Sequence, residues 1–419
     1  LSTASLRLRH ALIPYLYTMN RRNHVEHLPL VQPIYHNWPD AEESWHVQQE
    51  YTFGTELLIA PYTSKSDPDT RLSRQVVWFP DVRGGWTDFF TGEHYPGGQW
   101  SAVYGDLDHI PVFAKAGAIV PLNGDTSWGS LGNPTLLDVH LFAGASNRFV
   151  LFEDDGVTLN SSSVETEMVL EQQAQMLTFE IKPAIGDVSH IPADREAMLF
   201  VHGIAHSEAV QLTVDGEAVD AEIDYDGEAE MMVIGPVACS PTANMQLTIN
   251  AERDPETSIS LELFSRRDRT AEKLYSMIAQ FKAETAAKNE LAQVHHLLQD
   301  QPELLGGFLM NLTDSHLQAL CETIYQAGFH TINYGNPEST IQMWNNRKSK
   351  EVTFVFTKHN TIAWPWGRNT ANHGFVPQSK AWLQSHQSFN EVGWPGPLDW
   401  QMRIDYGRMF AHKDEFRTT

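Results

Sequence analysis

The groups in this chain best suited to chemistry are carboxylates, imidazoles and aromatic rings, and each type occurs in clusters. Glu153, Asp154 and Asp155 follow the apolar run Phe149-Val150-Leu151-Phe152 and precede Gly156. Two carboxylates set opposite a glycosidic bond can hydrolyse it, one as nucleophile or base and the other as acid. Clustered carboxylate oxygens also suit a hard cation such as calcium. Adjacent acids ahead of a glycine are equally ordinary turn chemistry, because Asp side chains accept hydrogen bonds from backbone a residue or two further on. The turn reading is taken first here, with a calcium or domain-contact role as its alternative. Asp40, Glu42 and Glu43, which follow or flank Pro39, read as a solvated loop face.

His10, His24, His27, His36 and His46 crowd the N-terminal segment. Their spacing fits no closed zinc pattern and no cysteine accompanies them. His295 and His296 are neighbours within a helical stretch, so their side chains diverge. No catalytic, cofactor-binding or metal-ligating residue is assigned from these groups. Trp78, Trp86, Phe89, Phe90, Tyr95 and Trp100 form one aromatic cluster, and Trp344, Trp364, Trp366, Trp382, Trp394 and Trp400 another. Aromatic faces stack on sugar rings but also fill cores and seams. Packing is expected for the first cluster. In the second, Trp364 and Trp366 are the candidate substrate-binding platform for a sugar.

Composition narrows the partners. The chain has 419 residues, 42% of them hydrophobic, and a formal net charge of −24. Such a length suggests two to four domains of about 100–200 residues each. An acidic surface repels nucleic acid and anionic lipid, and tolerates a neutral ligand such as a carbohydrate. No apolar run reaches the ~18 residues of a membrane span. The two cysteines, Cys239 and Cys321, fall in different expected domains, so no disulfide framework is expected and a cytoplasmic setting is slightly favoured. The start Leu1-Ser2-Thr3-Ala4 has neither Met nor a signal pattern, and reads as processed or cut from a longer chain.

The elements that must position these groups begin with a helix. Leu6, Leu8, Leu12, Ile13, Leu16 and Met19 recur at helical spacing, with Pro14 as an internal blemish. A proline-bounded strand over 28–35 follows. One helix and one strand cannot enclose a core, so the segment is expected to pack on something larger that the chain does not contain. From about 51 to 249 short β-prone runs alternate with Gly, Pro, Asn and Asp, as in antiparallel sheets with one wet face. Asp215-Gly216 is a hairpin signal. Two successive β-sandwich or jelly-roll-like domains are the simplest account. Beyond Asp254-Pro255 the texture becomes α+β. One helix is expected over 265–299, with Leu274, Ile278, Phe281, Leu291, Val294 and Leu298 on a single stripe. A second is expected over 314–327, burying Leu317, Leu320 and Ile324.

A series of motifs in fixed order points further. Arg7-Leu8-Arg9-His10-Ala11-Leu12-Ile13-Pro14-Tyr15 comes first, then Pro33-Ile34, Glu43-Ser44-Trp45-His46 and Tyr51-Thr52-Phe53-Gly54. Trp86-Thr87-Asp88-Phe89-Phe90-Thr91-Gly92 follows, then Asp108-His109-Ile110-Pro111-Val112-Phe113-Ala114-Lys115-Ala116-Gly117, and Phe152-Glu153-Asp154-Asp155-Gly156 closes the series. This order resembles the C-terminal portion of glycoside hydrolase family 31, the α-glucosidases, α-xylosidases and relatives. The resemblance implies a mainly β chain: a terminal helix-and-strand remnant of a (β/α)8 catalytic barrel at 1–48, a proximal β-domain at 49–122 and a distal β-sandwich domain at 123–254. An α+β extension of unknown role would occupy 255–419. A whole barrel takes about 250 residues, so most of it is expected to lie outside this chain. The family's two Asp motifs for nucleophile and acid/base have no counterpart here, and no catalytic residue carries over. Where relatives usually have Arg before the proline this chain has Gln32, and His46 stands where Asp is common. The resemblance implies a retaining α-glycosidase for terminal α-linked glucose or xylose, its partners being that carbohydrate and the missing barrel, and this chain inactive alone. The alternative is a non-catalytic carbohydrate-binding or accessory module.

Overall fold

The computed structural model describes residues 2–250 except 107–108, 127–131, 174–175, 205, 208 and 228. Beyond these it describes 273–274, 276–282, 315, 316, 319, 323, 344–346 and 351–353. The chain divides into two compact units, one of 1–61, 79–98 and 111–252, the other of 62–78, 99–110 and 253–419. Among the described residues no helix is long and apolar enough to cross a membrane.

The first unit opens with two helices rather than the single expected one, Ser2–Ala11 and Ile13–Glu26. Pro14 lies in the first turn of the second helix, where its missing N–H has no intrahelical partner to lose. His27 ends that helix in a left-handed conformation, its N–H reaching Asn23 O at 3.0 Å. Tyr15 and Met19 are buried in the same core cluster as Leu57, Ile59 and Phe149. The short strand Val31–Pro33 pairs antiparallel with Tyr51–Phe53 at the edge of a six-stranded sheet. Part of this segment thus packs within the chain, through Tyr15 and Met19. Of the expected apolar face Met19 is buried, Leu8, Leu12, Ile13 and Leu16 are half-buried, and Leu6 is exposed, as are Val25, Leu28 and Val31.

That six-stranded sheet runs Val31–Pro33, Tyr51–Phe53, Leu57–Ile59, Val112–Lys115, Trp86–Asp88, His94–Tyr95, with every pair antiparallel. Gly54 turns its second strand into its third with φ +69°, and a side chain there would collide with the Tyr15 hydroxyl and Met19. Only glycine combines that backbone with that approach.

The rest of the unit is two sheets sharing one core. The first sheet, of five strands, runs Ile223–Asp226, Met231–Ala238, Glu196–His202, Leu136–Phe142, Ile119–Asn123. Its pairs are antiparallel except for Leu136–Phe142 with Glu196–His202, which run parallel. The other sheet, of seven strands, is antiparallel throughout and centres on Val164–Gln173, Met176–Ile181 and Met245–Asn250. In Val164–Gln173 the residues Val164, Thr166, Met168 and Leu170 are buried while their neighbours face outward. This alternation puts one face on the core, as does the set Leu137, Val139 and Leu141 in the partner sheet.

In the second unit, strands Ser73–Phe79 and Gln99–Gly105 form a two-stranded sheet. Leu274, Met277, Ile278 and Phe281 are buried, in agreement with the expected stripe as far as it is described. His316, Ala319 and Thr323 are buried too, and His316 stacks on Phe281 with centroids 4.3 Å apart. Asp69 O accepts from Lys282 N at 2.7 Å and lies 2.9 Å from His316 Nε2. The rest of both expected helix stripes lies outside the described residues.

Candidate functional site

The acidic motif closing the series, 153–155, does three different jobs. Glu153 ends the strand Asn147–Glu153 and is 3 % exposed, held by Arg195, itself buried. Asp154 accepts the Tyr17 hydroxyl at 2.7 Å and the Gly156 N–H at 2.8 Å through Oδ1. Asp155 accepts the N–H groups of Val157 and Thr158 at 3.0 and 2.8 Å. Bonding to the Thr158 side chain and to those two amides pulls its pKa down to about 2. Turn chemistry thus describes Asp155, and Asp154 combines a turn bond to Gly156 with a contact to the helix Ile13–Glu26. A glycosidase acid needs an environment that raises its pKa, and Asp155 has the reverse.

Asp154 belongs to a seam between the helix Ile13–Glu26 and the strand Asn147–Glu153. Thr18 Oγ1 accepts the Phe152 N–H at 3.1 Å while donating to Pro14 O at 2.9 Å. Tyr15 stacks on Phe149 at 5.9 Å and donates to Phe53 O at 2.7 Å. Tyr17 stacks on Phe152 at 6.0 Å, and the Arg21 guanidinium lies 5.0 Å from the centroid of the same ring. Burial and the bond to Asp154 push the Tyr17 phenol up to about 12, so it stays a donor. Burial raises Tyr15 as well.

The N-terminal histidines do not converge. His24, His27, His36 and His46 are exposed, and among the described residues no group of three potential ligands could hold a metal. A different imidazole pair emerges from the parallel strands. His140 Nδ1 lies 2.9 Å from His202 Nε2, with Phe200 stacked on His140 and Phe142 on His202. His202 Nδ1 is buried without a partner. The neutral tautomer that leaves no orphaned N–H has His202 Nε2–H donating to His140 Nδ1. Burial pushes both pKa values down, that of His202 to about 4, and the neighbouring ring lowers His140 further.

Ser162, Asp187 and His190 also meet, a trio that spacing did not suggest. Ser162 Oγ is 2.6 Å from Asp187 Oδ2 and 2.9 Å from His190 Nε2. In a hydrolytic triad the acid orients the far ring nitrogen and leaves the serine proton to histidine. Here the carboxylate takes the serine proton itself and lies 3.7 Å from Nε2. The arrangement is a hydrogen-bond network with no activated nucleophile.

Of the first aromatic cluster, Trp78, Trp86 and Tyr95 are buried, as packing requires, whereas Phe90 is exposed. Trp86 Nε1 donates to Pro80 O at 2.9 Å, and Tyr95 stacks on Phe79 at 4.6 Å. Gln32 is buried with its Nε2 unpartnered. The proposed platform, Trp364 and Trp366, lies outside the described residues.

Residues 27–120 match the family model described as the Glycosyl hydrolase family 31 C-terminal domain. An alpha-glucosidase 2 of Bacillus thermoamyloliquefaciens is 32% identical over 228 residues, covering 52% of this chain and 27% of its own length. An alpha-xylosidase of Saccharolobus solfataricus is 30% identical, over 36% of this chain and 20% of its own. A neutral alpha-glucosidase C of Mus musculus is 34% identical, over 36% of this chain and 17% of its own. The chain thus spans about a quarter or less of these relatives. In fold, it is similar to a Flavobacterium johnsoniae GH31 dextranase at a TM-score of 0.50 and 22% identity, covering 58% of this chain and 32% of that one.

Proposed function

From a chain whose matches support membership of glycoside hydrolase family 31, we propose the C-terminal part of a retaining α-glycosidase that removes terminal α-linked glucose or xylose from oligosaccharides. The observation that carries this reading is the match over 27–120, joined to relatives of which this chain covers only a fraction. In such an enzyme two carboxylates about 5–5.5 Å apart act as nucleophile and acid/base. This chain supplies neither, and its own role is to brace the barrel that does.

The parsing proposed is a barrel remnant at 1–48, a proximal domain at 49–122, a distal sandwich at 123–254 and an extension at 255–419. The seam of Tyr15, Tyr17 and Thr18 against Phe149, Phe152 and Asp154 is then the joint through which the sandwich holds the last barrel helix. The partners are the rest of the barrel and its carbohydrate. The reading is tested by the hydrolysis of a p-nitrophenyl α-glucoside or α-xyloside. Activity in the polypeptide encoded with its upstream sequence and none in this chain is expected. Turnover by this chain alone would overturn it.

The tryptophans of the extension favour a second reading, a carbohydrate-binding accessory module with Trp364 and Trp366 as its platform. Glycan retention unchanged by Trp364→Ala and Trp366→Ala would remove them from that role.

A further inference from the structure

An open cleft lies on the sandwich, bounded by Asn133, the 3-10 turn Val188–His190, the segment 191–193 and the turn 240–242. Its volume is about 610 Å3, within the range of small-molecule sites. We propose that this cleft binds a neutral pyranose sugar.

The argument proceeds by elimination of charge. Arg195, the nearest buried cation by sequence, is consumed by Glu153 and the Pro134 carbonyl. The neighbouring carboxylate, Asp187, is held ionised by Ser162 and Ser189, which pull its pKa down to about 2. A phosphate or carboxylate would therefore meet a negative charge and no free guanidinium. The lining itself carries no carboxylate, lysine or arginine, so a cation finds no direct charged ligand there either. A neutral ligand is what remains.

The uncharged groups favour a polyol with one apolar face. Asn133 spends both amide hydrogens on Asp154 O and His190 O, each at 2.9 Å, which fixes the side chain and leaves its Oδ1 as an acceptor. Ser162 gives its only proton to Asp187, so His190 donates to it from Nε2. Ser240 and Thr242 are exposed. Ile191, Pro192 and Pro241 supply apolar surface in the same cleft. A fixed acceptor and hydroxyls around aliphatic surface match the equatorial hydroxyls and the C–H face of a pyranose.

The choice of a glucosyl sugar as probe rests on the family reading. The test is saturation-transfer NMR on the whole chain with glucose, maltose and glucose 6-phosphate. Saturable binding of glucose or maltose is expected, with a Kd on the order of 1 mM. Thr242→Arg, at an exposed turn position, should weaken it at least about tenfold, and the pair Ser240→Ala/Thr242→Val about threefold. Glucose 6-phosphate should bind more weakly than glucose. Affinity unmoved by Thr242→Arg, equal binding of the phosphate, or no saturation by about 50 mM sugar would each overturn the proposal. An upstream-extended enzyme that cleaves α-glycosides while Thr242→Arg leaves sugar binding intact would remove the cleft and spare the family reading. A complete polypeptide without that activity, in a chain whose sugar binding Thr242→Arg abolishes, would do the reverse.

Discussion

Arg195 holds both carboxylate oxygens of Glu153, Nη1 at 2.9 Å and Nη2 at 2.5 Å, while its Nε donates to Pro134 O at 2.8 Å. Both side chains are 3 % exposed. Removing either partner strands the other charge in a dry site. Glu153→Ala should destabilise the fold by about 3–5 kcal/mol. The double variant Glu153→Leu/Arg195→Met should lose far less than the sum. Urea midpoints at neutral pH measure both, and strictly additive losses would show that the pair is not coupled.

The helix seam gives a graded series. Tyr17→Phe keeps the stack on Phe152 and loses the bond to Asp154, with an expected loss of about 0.5–1.5 kcal/mol. Thr18→Val leaves the Phe152 N–H unpaired, at about 1–3 kcal/mol. Tyr15→Ala empties a fully buried site and should lose about 3–5 kcal/mol. Equal losses for all three would mean that the seam unfolds as one unit before the sandwich does.

Deleting residues 2–11 should be tolerated, because that helix contributes little to the core and exposes Leu6. Deleting 1–26 should not, since it removes Tyr15 and Met19 from beneath Gly54. Hydrogen exchange reads the same contrast, with slow amides at 15–19 and fast ones before 11. Uniformly fast exchange through 26 would contradict the packing described.

The His140–His202 pair makes stability depend on acid. Folding lowers both pKa values, so the unfolded chain binds more protons between the ordinary histidine pKa of 6.5 and the folded value, about 4 for His202. Stability is therefore fully present above pH 6.5 and lost as pH falls toward 4, by up to about 1.4 kcal/mol per unit for each ring. Asp138 opposes this over a narrower window. Its carboxyl is raised by burial from 3.8 to about 6, so its contribution is fully present below pH 3.8 and lost as pH rises through about 6. His140→Phe/His202→Phe preserves the aromatic stacking and should flatten the acid limb of a Tm-against-pH curve. An unchanged limb would place the acid sensitivity elsewhere.

Gly54→Ala tests the turn under Tyr15. A left-handed backbone and a collision with Tyr15 and Met19 act together, and a loss above about 2 kcal/mol is expected.

Much of the β-structure could be read from local pattern. Val210–Val214 is a strand ending at the expected turn, and Asp215-Gly216 takes φ of 51° and 81°, joining Val214 to Glu217 in a hairpin. In Val164–Gln173 the period of two is present although Glu165, Glu167 and Glu171 lower its mean hydropathy. The partnership of Glu153 with Arg195 and the meeting of His140 with His202 carry no local signature, because sheet topology alone brings them together. Pro14 misled in another way. A proline reads as a flaw in one long helix and as a natural start in the second of two.

The parallel pairing within the five-stranded sheet has a kinetic meaning. Leu136–Phe142 lies beside Glu196–His202 with Leu136 opposite Glu196, and the strands threaded between them in sequence belong to the facing sheet. Closing so long a loop costs entropy before any contact between the two strands rewards it. The antiparallel neighbours Asn147–Glu153, Val164–Gln173 and Met176–Ile181 meet through short connections and can assemble first. Folding of the sandwich should then be rate-limited by the arrival of Glu196–His202, with the histidine pair among the last contacts made.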